Sequence, residues 1–209
     1  MPAVFTPRRL ASLTTLLAAT TLAGAGLSAC VPLMLGGAAG GVLLYTDRRT
    51  SGAQVEDAAI ESKAARKVSA VMGDRGHVGV VSYNRWVLLT GEVPNEADRA
   101  ALEQAVAGIE NVRSVTNETA VMGSSSLTSR SNDLIVTSKV KATFVDAGDV
   151  QANAFKVVTE RGIVYLMGRV TTEESDRAAN LARAINGVQK VVKVTETITE
   201  EERKALQAR

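Results

Sequence analysis

The chain has 209 residues, with 24 basic and 22 acidic side chains, one cysteine, one histidine and 3% aromatic residues. That length suits one domain or two small ones. A formal net charge of +2 is far from the basic excess of a nucleic-acid binder, and a lone cysteine forms no internal disulfide.

Arg8 and Arg9 precede an apolar run, residues 10–27, which ends in Leu27-Ser28-Ala29-Cys30. A basic start, an apolar middle and small residues before the cut are the parts of an export signal. Because it ends on cysteine, the segment resembles a bacterial lipoprotein signal. That resemblance implies cleavage after residue 29 and acylation of the Cys30 thiol. Removing residues 1–29 takes away Arg8 and Arg9 and leaves 22 basic against 22 acidic groups, a balanced mature chain. Residues 10–27 are also about the minimum length of a membrane-spanning helix. Their Ala, Thr and Gly content and the Ser-Ala-Cys ending favour the signal. Residues 31–45 are apolar but too short to span, and they hold four glycines. They belong to a tether, residues 30–55, that is either flexible or lies in the membrane interface.

From Asp57 onward the sequence is two copies of one unit, offset by 76 to 79 residues. Ser62-Lys63 returns as Ser138-Lys139. Val87-Leu88-Leu89-Thr90-Gly91-Glu92-Val93 returns as Val164-Tyr165-Leu166-Met167-Gly168-Arg169-Val170. Asp98-Arg99-Ala100-Ala101 returns as Asp176-Arg177-Ala178-Ala179, and the run from Gly108 to Thr116 returns from Gly187 to Thr195. The copies span residues 56–121 and 132–199. A Gly/Ser-rich linker, residues 122–131, joins them, and a charged tail, residues 200–209, follows.

Each copy predicts helix, strand, strand, helix, strand. The first helix carries the stripe Ile60, Ala64, Val68 and Val71 in copy one and Val136, Val140, Phe144 and Ala147 in copy two. Two apolar runs joined by a tight turn follow: residues 78–83 and 86–93, then 155–159 and 163–170. The second helix starts after Asn95 in copy one and after Thr171 or Thr172 in copy two, with acids in its first turn. Thr171 and Glu174 have capping-box spacing. The inward side of this helix is Ala-rich. Gly108 and Gly187 are expected to end it as left-handed caps. Alternating strands around Val112 and Val115, and Val191, Val194 and Ile198, complete the units. A hairpin followed by a helical crossover gives an α+β fold: two tandem αββαβ units, each a mixed three-stranded sheet packed by two helices on one face. A unit this short buries a modest core, so the two units have reason to lean on each other.

The pattern resembles the BON domain of bacterial envelope proteins. The glycine after the second strand (Gly91, Gly168) and the run Gly187-Val188-x-x-Val191 carry the resemblance; copy one has Gly108-Ile109 in the latter place. With the signal ending in Cys30, the Gly-rich apolar start and residues 49–57, the chain resembles the family of dual BON-domain outer-membrane lipoproteins. That resemblance implies an outer-membrane lipoprotein on the periplasmic face. It implies anionic phospholipid binding through the second copy, support of envelope integrity, and a link to the outer-membrane assembly machinery. Val31, where many inner-membrane lipoproteins carry Asp, is compatible with transfer to the outer membrane.

No residue set supports an enzyme. His77, the only histidine, lies at a strand start beside Gly76 and Gly79 and reads as a surface or turn residue. No second histidine or free cysteine is available for a metal site, and no cofactor or small-molecule substrate is implied. Ser124-Ser125-Ser126 lies in the linker and has no base. Gly36-Gly37 and Gly40-Gly41 lack the strand, lysine and helix of a phosphate loop. Asp98-Arg99 and Asp176-Arg177 suit helix starts and surface pairing, and Trp86 suits core or edge packing.

The first helices differ off the core stripe. Copy one has the small residues Ala58, Ala59 and Ser69; copy two has Leu134, Ile135 and Val145. Ile135 and Val145 adjoin core positions and face elsewhere, so this apolar surface must be buried by something other than its own core. Lys139 and Lys141 share the helix and suit lipid phosphates. Residues 57–120 carry 7 basic and 9 acidic groups, net −2, and residues 132–199 carry 9 and 8, net +1. On the residues alone, packing against copy one and contact with an outside surface are equally open. The resemblance favours a membrane, with a protein partner as the alternative.

Overall fold

The computed structural model describes residues 47–207; the signal, Cys30 and residues 31–46 lie outside them. Helix α1 (Ser51–Met72) starts on Thr50, whose side chain accepts from the Ala53 amide. It leads into strands β1 (His77–Tyr83) and β2 (Trp86–Val93), helix α2 (Glu96–Ala107), and strands β3 (Ser114–Asn117) and β4 (Ala120–Val121). Copy two repeats this as α3 (Leu127–Ala147), β5 (Phe155–Glu160), β6 (Ile163–Val170), α4 (Thr172–Arg183) and β7 (Lys190–Thr197). A last helix, α5, runs Glu200–Gln207. Each hairpin is antiparallel, and each crossover strand pairs parallel to the central strand. The α+β expectation of two mixed sheets, each with two helices, is therefore met.

The central strands explain the layering. Val87, Leu89 and Val93 of β2 pack under α1 and α2, against Ile60, Ala64, Leu102 and Val106. Val164, Leu166 and Val170 of β6 pack under α3 and α4, against Val136, Val140, Phe144 and Ala178. Alternate residues point the other way. Leu88 and Tyr83 from copy one meet Tyr165, Met167 and Val194 from copy two in a third apolar cluster, flanked by Trp86 and Ile163. The two sheets thus face each other, and the helices form the two outer layers. The apolar runs are continuous because the central strands are buried on both faces.

Several boundaries differ from the sequence expectations. The linker ends early: Ser126 caps α3 through the Ser129 amide, so residues 127–131 are helical. The segment read as tether is folded from Asp47, and residues 51–55 belong to α1. Most of the charged tail is helix α5. The copy-one stripe closes on Met72, with Val71 only partly buried. Gly108 is not a left-handed cap. Its φ is −78°, and the left-handed residue is Asn111 at φ 67°. In copy two the helix stops at Arg183, and Gly187 (φ 102°) lies beyond it. A Cβ on Gly187 would sit 2.9 Å from Val136, so this glycine lets the loop approach α3 closely. Copy one's last strand is interrupted where Asn117 turns its side chain onto the Thr119 amide and hydroxyl. Register is kept across the break, with Leu89 opposite Asn117 and Glu92 opposite Ala120.

Candidate membrane-docking site

A recurring acid fixes where each first helix sits. Asp57 of α1 is buried and accepts from the Ser82 hydroxyl and from the Asn84 and Arg85 amides, at 2.7–2.8 Å. Asn84 and Arg85 both have positive φ, the conformation a two-residue hairpin turn demands. Asp133 of α3 does the same for the left-handed turn Arg161-Gly162, accepting from both amides at 2.8 Å. Burial opposes the charge on Asp57, but these donors and Arg49 outweigh it and hold the carboxyl below its ordinary range. This pair is not among the residues that composition or motif spacing singles out. The repeat carries its signal: Asp57 and Asp133 share the 76-residue offset of Ser62 and Ser138.

With α3 clamped this way, its core stripe points inward and its other face is bare. Leu134 is 70% exposed, Ile135 53% and Val145 68%. The reading in which they seal the contact between the copies is therefore overturned; the sheet faces do that. Leu127, missed because the helix was expected to begin later, is 78% exposed. Leu127, Leu134, Lys141 and Val145 follow at intervals of seven, seven and four residues, which stacks them in one narrow strip. Ile135 sits on its flank. Lys139 and Lys141 are exposed, and neither has an ion-pair partner among the described residues. Helix α1 exposes only one large apolar side chain, Val55.

The chain enters the fold beside this strip. Arg48 is buried against copy two, donating to both oxygens of Glu174 (2.6 and 2.7 Å), to the Arg169 carbonyl and to Gln151. Burial disfavours the Glu174 carboxylate, but Arg48 and the Thr171 amide reverse that and lower its pKa. Next, Arg49 bridges Asp47 and Asp57 and lies 4.3 Å over the Tyr83 ring. A cleft of about 370 Å³ opens here, lined by Arg49, Tyr83, Lys141, Val145, Phe155 and Lys156, among others. Lys156 bonds Glu61 at 2.7 Å across the copies.

The remaining candidates are structural. Asp98 pairs with Arg75, and Asp176 with Lys193. The Trp86 indole donates to Thr116 within the packing between the sheets. His77 starts β1, and its pKa is lowered first by burial and then by Arg130. Among the described residues no group of three or more His, Cys, Asp or Glu side chains could hold a metal ion, and no helix is long and apolar enough to cross a membrane.

Comparison with known proteins agrees with this architecture. The BON domain model matches residues 56–123 and 132–198. The chain is 38% identical to the outer membrane lipoprotein DolP of Haemophilus influenzae, over 80% of this chain and 88% of that one. It is 33% identical to a 21 kDa hemolysin of Actinobacillus pleuropneumoniae, over 71% of this chain and 77% of the other. It is also 30% identical to the osmotically-inducible protein Y of Escherichia coli, over 63% and 69%. Two αββαβ units matched by one domain model, with relatives aligned along most of their length, place this chain in the family of dual BON-domain outer-membrane lipoproteins.

Proposed function

We propose that this protein is a non-enzymatic lipoprotein of the outer membrane, anchored through acylated Cys30 on the periplasmic face. Its second BON copy docks on anionic phospholipid and so supports envelope integrity. The observation that carries this reading is the bare strip of α3 beside the point where the chain enters the fold. The tether arrives at copy two, because Arg48 is held by Glu174. From Cys30 to Asp47 the chain reaches at most roughly 60 Å, long enough for this side of an anchored molecule to meet the bilayer.

The strip has the composition that an interfacial helix needs. Leu127, Leu134, Ile135 and Val145 supply wedges, each worth about 1.5–3 kcal/mol at full burial. Partial insertion leaves a fraction of that. Lys141, within the strip, adds about 1 kcal/mol near an anionic surface, while Lys139 lies well round the helix and reaches that surface only along its edge. Such a contact is weak in free solution and becomes effective once a tether holds the two surfaces together.

The test uses the soluble chain from residue 31 onward, with isotope-labelled amides observed as anionic or neutral micelles are added. Shifts confined to α3 and the Asp47–Arg49 entry, with anionic lipid only, support the reading. Shifts spread over both copies, or none, contradict it. A crosslinker at Ile135 that captures one defined protein instead of lipid would favour a subunit assisting the outer-membrane assembly machinery.

A further inference from the structure

The place where the linker meets both copies buries two carboxylates that their surroundings do not satisfy. Glu92 on β2 is fully buried, and Glu160 at the end of β5 is 8% exposed. One oxygen of each, Oε1, has no hydrogen-bond partner. The other oxygen of Glu92 accepts from the linker amide of Ser125 at 3.0 Å. Arg161 comes no closer than 3.9 Å to Glu92 and directs that nitrogen at the Gly91 carbonyl and the Met122 sulfur. Asp133 spends both oxygens on the turn amides. Arg130 and Asp133 from α3, His77 from β1 and Glu160 line a cavity of about 180 Å³ with Leu134 and Thr159. The Tyr165 hydroxyl on β6 is also buried without a partner, and Glu118 and Glu160 both act on it.

A buried charged oxygen with no donor is costly, and the simplest remedy is a proton. Among the described residues, the acids near Glu160 do not form a metal-binding group. We propose that this junction is a proton-binding site: Glu160 holds a proton while the two copies and the linker are closed together, and losing it loosens that junction. The surroundings agree. Burial first, then Glu92 and Asp133, raise the Glu160 pKa from 4.5 to about 7, with Arg161 and Arg130 opposing. A carboxyl with a raised folded-state pKa is protonated in the closed state when the unfolded chain has already released its proton. Stability therefore falls as pH rises between 4.5 and about 7 and is level above. His77 acts in the opposite sense: its pKa is depressed below 6.5, so its contribution grows as pH rises toward that value. The proposal does not depend on membrane binding, although Leu134 of the bare strip lines the same cavity.

The single tryptophan, Trp86, packs against the cluster between the sheets and reports on the contact between the two copies. Unfolding of the full chain in neutral detergent, followed by Trp86 emission across this pH window, should show a midpoint that drops as pH rises. Glu160→Gln should flatten the drop and exceed the parent in stability on the alkaline side. Glu92→Gln should move the drop to lower pH, and His77→Asn should steepen it. An unchanged slope in Glu160→Gln would overturn the proposal. So would a slope abolished by magnesium or by a chelator, which would mark a metal ion as the occupant.

Discussion

The two copies share a fold but not an exterior. Both clamp a hairpin turn with an acid on the first helix, both bury one sheet face under helices, and both spend the other face on the partner copy. Off the core, α1 shows Ala58, Ala59 and Ser69, whereas α3 shows Leu127, Leu134, Ile135 and Val145 bare. Duplication thus leaves one copy to scaffold and the other to carry a surface with no partner inside the molecule. A residue common to both copies therefore reports on the fold. A bare apolar residue found at a single copy points to what that copy does outside it.

That division can be broken most severely at the glycines. Gly91 has φ 106°, and a Cβ there would come 2.1 Å from the His77 carbonyl. A Cβ on Gly168 would come 2.5 Å from the Ala154 carbonyl, without a positive φ. Gly91→Ala is expected to destabilise by about 4 kcal/mol or more, and Gly168→Ala by less, since only the first adds backbone strain to the clash. Urea titration of both variants ranks them. The paired acids come next. Asp57→Ala strands the Ser82, Asn84, Arg85 and Arg49 donors, whereas Asp133→Ala strands two amides. At about 1 kcal/mol per donor left unpaired, losses of about 4 and about 2 kcal/mol are expected. Because the folded pKa of Asp57 lies below 3.8, its stabilisation is present above that pH and lost in acid below it, which an acid unfolding titration of Asp57→Asn would reveal as a missing step. At the weak end, Lys156→Met removes a bond to Glu61 between two partly exposed side chains. It should change stability by under about 1 kcal/mol, measured the same way.

Much of this is legible in the sequence itself. Internal repetition gave the two units, and the hairpins, the Asn95 and Thr171 caps and the capping box at Glu174 fell where the sequence put them. Leu134, Ile135 and Val145 stood out because their neighbours already filled the core positions. What stayed hidden depends on non-local geometry. Val87-Leu88-Leu89 could signal a strand buried on both faces, but not that the second face meets Tyr165 and Met167 seventy-odd residues away. Gly and Ser around residue 124 masked an N-cap, since the same residues that make linkers also start helices. Gly108 was misread because a glycine after a helix usually turns left-handed, and here Asn111 takes that conformation instead.

The function proposed above makes α3, and not α1, the membrane-facing helix. Its most direct test is co-flotation of the chain with anionic liposomes, comparing Leu134→Asp/Ile135→Asp/Val145→Asp with Val55→Asp as the matched change on the one bare apolar residue of α1. The soluble form from residue 31 onward isolates the contact from the anchor. Loss of about 1 kcal/mol per partly inserted side chain predicts a fall in partition of roughly a hundredfold for the triple change and none for Val55→Asp. Equal losses in both, or flotation that survives the triple change, would contradict the account.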